Sequence, residues 1–267
     1  MTWWQAALLG LLQGIAEFLP ISSSGHLVLG QYLLGIGAEL DQGVTFEVFV
    51  HFATLMSIFT VYRERLGRIT REVFTFSDFG ERFRENEDYR FAVFIVLGTI
   101  PTGLVYVFFG DFLESLFERP RFVCGMLLVT GLLLLLTLLR RNPEGPLSSV
   151  KTAVIGTAQG LAITPGISRS GSTICAALYQ SVENRKAADF SFLLSIPAVV
   201  AATALSAVEV WQQGSTMGVV PLVVGMVVAY VSGVWAIRTM VDLVSRGNLH
   251  YFAFYLFAAG TAGLIFI

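Results

Sequence analysis

The sequence predicts an all-α integral membrane protein built as an inverted repeat, each half one re-entrant helix-loop-helix plus three transmembrane helices. Three observations carry that prediction. Of 267 residues, 55% are hydrophobic and only 13% charged, with a mean hydropathy of +0.71; a soluble domain carries about 25% charged residues. The apolar runs are long and unbroken rather than alternating, which favours helices over a barrel. Finally, the chain repeats itself. Shifted by 146 positions, residues 7–25 agree with their copy at nine of nineteen places, against roughly one or two expected by chance. A single membrane domain over 1–267 follows, with repeat 1 at about 1–140 and repeat 2 at about 150–267.

Composition also excludes. A net charge of -2 offers no basic surface for nucleic acid. Cys124 and Cys175 fall in different apolar segments and read as free thiols. The start, Met1-Thr2-Trp3-Trp4, has no basic n-region and does not read as a cleaved signal peptide.

A helix needs about 20 residues to cross the hydrocarbon core, whereas apolar runs of about 10–14 favour re-entrant or interfacial segments. Residues 4–18 are marginal, break at Pro20 and Ser22-Ser23-Ser24-Gly25, and are followed by a shorter run at 26–36. The pair reads as a hairpin that dips in and returns to the same side. Residues 46–62 cross. Residues 63–90 form a charged loop, with an interfacial helix carrying Phe74, Phe76, Phe79 and Phe83. Residues 91–109 and 122–139 cross next. The second copy repeats this order: short arms at 150–163 and 172–180 flank Pro165-Gly166 and Ser168-Arg169-Ser170-Gly171, and 190–208, 219–240 and 250–267 cross. Three spans per half is odd, so the second half is upside down relative to the first, an arrangement that sets broken helices face to face near the midplane.

Charge agrees. One side holds Arg63, Arg65, Arg68, Arg71, Arg82, Arg84, Arg90, Arg140, Arg141, Lys151, Arg185, Lys186, Arg238 and Arg246, fourteen of the seventeen basic residues; the other holds Arg119 and Arg121. The positive-inside rule puts both termini outside the cytoplasm. The remaining basic residue, Arg169, lies in the repeat motif.

A charge at membrane depth is costly and marks function by default. Glu17 and Arg169 qualify, one in each copy; the plain alternative is a structural ion pair. Gln13 and Glu17, four apart, share a helix face near the negative end of a dipole, where a cation is welcome. Ser22, Ser23, Ser24 and Gly25 open the second arm with N-caps, free N–H groups and a positive dipole end, an anion site. Ser168, Ser170 and Gly171 offer the same in the second copy, with Arg169 able to grip phosphate as a fork. Read alone, these serines are plain caps; facing copies around one Arg and one Glu point to a phosphate-bearing ligand. His26, one turn from Ser23, is a candidate acid, base or nucleophile against the usual reading of a structural histidine. His51 and His250 lack such company and read as structural. Glu47 and Asp189 open the first span of each half and read first as caps. Gly10-x-x-x-Gly14 and Gly156-x-x-x-Gly160 predict close backbone approach inside the site, against lipid-facing dimerisation.

These features fit a lipid-diphosphate hydrolase, a transporter or flippase for an anionic lipid or organic anion, or, less well, a scaffold. Glu17, Ser23 and His26 within one turn favour hydrolysis, because transport needs a clamp but no nucleophile and base.

The motifs resemble those of the undecaprenyl-diphosphate phosphatase family, the bacterial bacitracin-resistance phosphatases, over essentially the whole chain. The resemblance rests on Gln13-x-x-x-Glu17, Pro20-x-Ser22-Ser23-Ser24-Gly25-His26 and Pro165-Gly166-Ile167-Ser168-Arg169-Ser170-Gly171-Ser172-Thr173, with Gly98-Thr99-Ile100-Pro101 and Ser195-Ile196-Pro197 as weaker matches. It implies a multi-pass enzyme of the cell (inner) membrane that converts the C55 isoprenyl diphosphate to the monophosphate outside the cytoplasm, for reuse in peptidoglycan synthesis. It also implies a divalent cation, Mg or Ca, at Glu17 and Gln13. Glu17 and His26 correspond to essential acid–base groups, Ser23 to the proposed nucleophile, and Arg169 with Ser168, Ser170 and Thr173 to the diphosphate clamp. Gln13 stands where the family often has Glu; its carbonyl can bind a metal but cannot act as base. Ser24 stands where Thr is common. The expected partners are the isoprenyl diphosphate lipid and the bilayer, with a homodimer as a further candidate.

Overall fold

The computed structural model describes residues 1–33, 40–75, 79–140, 145–213 and 217–266. Twelve α-helices run through them. α1 (Trp3–Ala16) and α2 (Ser23–Leu33) form the first hairpin, followed by α3 (Leu40–Val61), α4 (Arg63–Val73), α5 (Phe79–Glu85), α6 (Glu87–Ser115) and α7 (Pro120–Leu136). α8 (Ser149–Leu161) and α9 (Arg169–Tyr179) form the second hairpin, followed by α10 (Asn184–Gln213), α11 (Val219–Ser245) and α12 (Tyr251–Phe266). Residues 34–36 of the expected second arm, Phe76 and Arg141 lie outside the described residues.

Among the described residues four helices are long and apolar enough to cross a membrane: Glu87–Leu113, Pro120–Leu139, Asn184–Val208 and Val219–Ser245. Only 22–39% of each 18-residue window is buried, and Val96, Val107, Phe108, Val223 and Trp235 face outward. Apolar surface on that scale belongs in lipid. The other two expected spans differ. Thr45–Val61 continues into α4 across an 81° bend, and α12, with 16 residues, is a shorter apolar helix than those four.

The expected charged loop at 63–90 is helical at both ends. α4 carries Glu64 in its first turn and Arg71 in its last, matching the helix dipole, and turns Ile69 and Leu66 to the core. Arg68 pairs with Asp88 at 3.0 Å, and Asn86 donates to Glu72 at 2.7 Å. These bonds tie the bent helix back onto the start of α6. Phe83 meets Phe94 edge-on at 5.9 Å, while Phe74 and Phe79 stay exposed.

The two halves embrace by exchanging partners. A Cβ on Gly10 of α1 would lie 2.4 Å from the Gly225 carbonyl oxygen of α11, and one on Gly156 of α8 would lie 2.0 Å from that of Gly98 on α6. One turn along, Gly14 faces Ser232 and Ala229, and Gly160 faces Val105 and Thr102. Each hairpin's first arm thus packs on a span of the opposite half, through the same spacing of small residues. The close approach predicted from the Gly-x-x-x-Gly pairs is therefore internal, and Thr102 seals it by donating to the Gly156 carbonyl at 2.9 Å. α7 and α12 cross through a self-matching contact: Gly131 faces Phe257 and the Ala253 carbonyl, while Gly260 faces Leu128 and the Cys124 carbonyl. Between these pairs lies a core in which Phe18 meets Phe192 edge-on at 5.8 Å and Phe91 meets Phe190 at 5.4 Å.

Candidate active site

The breaks in the two hairpins lie against each other in the same exchanged fashion. A Cβ on Gly25 would meet Gly166 at 3.3 Å, and one on Gly171 would meet Pro20 at 3.2 Å; positions 20 and 166, like 25 and 171, are 146 apart. Both second arms start alike. Ser22 Oγ accepts the Gly25 N–H at 3.3 Å and Ser168 Oγ accepts the Gly171 N–H at 3.1 Å, the N-cap bonds that serine favours. Ser24 Oγ lies 3.3 Å from Ser22 Oγ and Ser170 Oγ 3.2 Å from Ser168 Oγ. Ser170 Oγ also donates to the Leu19 carbonyl at 3.2 Å, stitching the turns together.

Their polar content differs, and it gathers on Glu17. This carboxylate, 8% exposed, accepts on Oε2 from Gln13 Nε2 at 3.1 Å and from Ser23 Oγ at 2.7 Å. Its Oε1 takes an ion-paired hydrogen bond from Arg169 Nη2. The Glu17–Arg169 ion pair, the plain alternative in the sequence reading, thus forms across the two copies. Two buried atoms here have no partner among the described residues: Gln13 Oε1 and Arg169 Nη1. One is an acceptor able to face a cation, the other a donor able to face an anion, and both would carry a desolvation penalty of about 1–3 kcal/mol if left unmatched.

His51 is the residue the sequence reading missed. Its Nδ1 donates to the Glu47 carbonyl at 2.8 Å, which turns Nε2 toward Glu17 Oε2 at 3.8 Å. The rule that flagged Glu17, an ionisable group at membrane depth, applies to His51 equally.

His26 and Thr173 lie apart from this cluster. His26 Nδ1 donates to the Ser22 carbonyl at 2.8 Å, and Nε2 lies 2.6 Å from the hydroxyl of Tyr255 on α12. Both ring nitrogens are therefore engaged away from Ser23. Thr173, fully buried, donates to the Arg169 carbonyl at 2.8 Å and shares a 2.5 Å contact with Ser191 Oγ on α10. Ser168, buried as a cap, donates its own N–H to Thr130 Oγ1 at 3.1 Å.

The turns also differ in backbone. Ser22 has φ +72°, a left-handed conformation that costs a non-glycine residue about 1–2 kcal/mol. Ser168 has φ -74°, and the left-handed position in its turn is Gly166 at +90°, where no such cost arises.

Residues 6–262 match the family described as bacitracin resistance protein BacA. The chain is 51% identical to the undecaprenyl-diphosphatase of Salinibacter ruber over 99% of both chains. It is 37% identical to that of Alkaliphilus metalliredigens over 100% of this chain and 99% of the relative. It is also 37% identical to that of Bacteroides thetaiotaomicron over 99% of both. An internally repeated membrane protein whose two broken hairpins meet on one carboxylate, and which matches this family nearly end to end, belongs to the bacitracin resistance protein BacA family.

Proposed function

We infer that this protein hydrolyses undecaprenyl diphosphate to undecaprenyl phosphate and inorganic phosphate, the reaction named for its relatives. The observation that carries the mechanism is the 2.7 Å hydrogen bond from Ser23 Oγ to Glu17 Oε2. A serine hydroxyl is a weak nucleophile until a base takes its proton, and here the base already holds it. Ser23 attacks the terminal phosphorus, Glu17 accepts the hydroxyl proton, and the isoprenyl monophosphate leaves; water then hydrolyses the phosphoserine. Arg169 and the N-termini of α2 and α9 hold the phosphate oxygens, because phosphoryl transfer depends on positioning and charge neutralisation. Arg169 Nη1 is available for that task, and Nη2 follows when phosphate displaces Glu17 from the fork. Glu17 then carries the base role without help from His26, whose ring nitrogens face elsewhere. A carrier has no use for a serine poised on a base, so hydrolysis accounts for more of the site than transport does.

A divalent cation fits the donor set only together with substrate. Among the described residues no group of three or more His, Cys, Asp or Glu could hold an ion. Glu17 and the unpartnered Gln13 Oε1 supply two oxygens, and magnesium is commonly held by one or two carboxylates plus substrate phosphates. Glu17 and Gln13 would hold the ion, which would neutralise charge on the departing phosphate. The basic residues on the helix ends favour both termini outside the cytoplasm, in the inner membrane.

The test is phosphate release by purified protein in detergent from a long-chain isoprenyl diphosphate, with and without chelator. Release that stops with chelator and returns with magnesium or calcium is expected. No release from the wild type under either condition would reject the reading.

A further inference from the structure

The shift that maps one hairpin onto the other also exposes what only one of them has. His26 corresponds to Ser172, 146 positions on. In the α7–α12 crossing, Gly131 and Gly260 are equivalent, as are Cys124 and Ala253, an offset of 129 that makes Tyr255 the counterpart of Met126. Met126 packs its Cβ against Gly166 in the second turn. Tyr255 approaches the first turn from the matching place, its ring nearly parallel to that of His26 at 16° with centroids 5.6 Å apart. So α7 and α12 each brace one turn from the same position. Only Tyr255 brings a polar atom, and it meets the only polar ring in either turn. The counterpart pair is Met126 and Ser172, whose buried hydroxyl has no partner among the described residues.

The bonds around His26 are directional. A carbonyl only accepts, so Nδ1 carries the proton on the Ser22 oxygen at 2.8 Å. In the neutral ring Nε2 is then an acceptor and takes the Tyr255 hydroxyl proton at 2.6 Å. The chain of bonds runs from Tyr255 through His26 to the carbonyl of Ser22, the one non-glycine residue in these two turns with a left-handed backbone. Ser23 follows directly. We propose that Tyr255 is a positioning residue: through His26 it holds the strained Ser22 turn in the conformation that sets Ser23 on Glu17. His26 on this view is a brace with a fixed tautomer, and the second turn needs none because Gly166 takes up its left-handed position.

The proposal rests on the hydrolase reading only for its kinetic arm. The protein has three histidines, so full-length protein labelled with 15N-histidine in detergent gives a spectrum that His51→Gln and His250→Gln assign by subtraction. Wild-type His26 should show a protonated Nδ1 and a hydrogen-bonded acceptor Nε2. Tyr255→Phe keeps the ring and removes the hydroxyl; the Nε2 signal should move toward that of an unbonded nitrogen. With the isoprenyl diphosphate, kcat should fall about tenfold or more while KM stays within about threefold, because Arg169 is untouched. A wild-type His26 protonated on Nε2, or a spectrum unchanged in Tyr255→Phe, would overturn the proposal. So would a moved signal with kcat unchanged. If wild-type protein releases no phosphate, the hydrolase reading fails and the spectra still decide the brace. If Tyr255→Phe fails to fold, the wild-type tautomer decides it.

Discussion

Ser23 and Arg169 are the same position in the two hairpin copies, 146 residues apart, and each holds one oxygen of Glu17. Duplication placed two equivalent side chains on either side of one carboxylate. Divergence then made one of them a hydroxyl and the other a guanidinium. The nucleophile and the phosphate grip of the proposed reaction are thus two versions of one first helical residue, brought together because the turns interlock at Gly25–Gly166 and Pro20–Gly171.

In the proposed reaction Arg169 grips phosphate as a fork. Arg169→Lys keeps the charge but loses the paired planar donors, so its activity should lie close to that of Arg169→Ala, each down by about 100-fold or more. Near-normal turnover by a folded lysine variant would mean that charge alone suffices.

Ser23→Ala should abolish the single-turnover burst, and wild-type protein quenched in acid should retain a phosphoenzyme that survives acid. An acid-labile, base-stable adduct would assign the nucleophile to histidine, and no adduct at all would assign it to water. Glu17→Gln should also abolish the burst. It should lower stability as well, since removing one partner of a buried ion pair costs about 3–5 kcal/mol; thermal melts beside the kinetics separate the two effects.

Gly10→Ala and Gly156→Ala should destabilise to similar extents, about 1–3 kcal/mol each, because each new Cβ would push on a carbonyl oxygen of the facing helix. Alanine has the better helix propensity, so a loss of stability isolates the contact. An unchanged melting temperature in either variant would show that the helices can part at no cost.

The membrane orientation is open to a chemical test. In a background lacking Cys124 and Cys175, a cysteine at exposed Glu118 should react with an impermeant thiol reagent from outside intact cells. One at exposed Ser245 should react only after the membrane is opened. The reverse pattern would invert the assignment.

Much of this is legible in the sequence. The repeat announced two hairpins, and the rarity of charge in apolar sequence drew attention to Glu17 and Arg169, which do meet. The Gly-x-x-x-Gly pairs announced tight helix contacts, though not with which helix. What stayed hidden depends on partners far along the chain. Tyr255 reaches His26 across 229 residues from a helix whose composition, Phe, Ala, Leu and Gly, is that of an ordinary lipid-facing segment. The direction of a side chain is similarly silent in sequence: Thr173 sits in the motif yet turns toward Ser191. The bend after Val61 was missed because the charged stretch beyond it read as a loop whose interfacial helix was sought around residues 74–83, whereas Leu66 and Ile69 give α4 an apolar stripe to bury. His51 was missed for a simpler reason, since its only visible neighbour of interest in sequence was Glu47.

The exchange of packing partners between halves has a consequence for how the protein is made. α1 emerges first from the ribosome, yet the surface it fits, around Gly225 and Ser232 on α11, is synthesised some two hundred residues later. Until then Glu17 lacks Arg169, and the first hairpin has only the partners of its own half, Phe46, Val50 and Ala53 on α3 among them. Insertion must therefore tolerate an unfinished first half until α11, and then α12 with Tyr255, has been made. A chain cut between the halves should leave two fragments that are each degraded alone and rescued when expressed together.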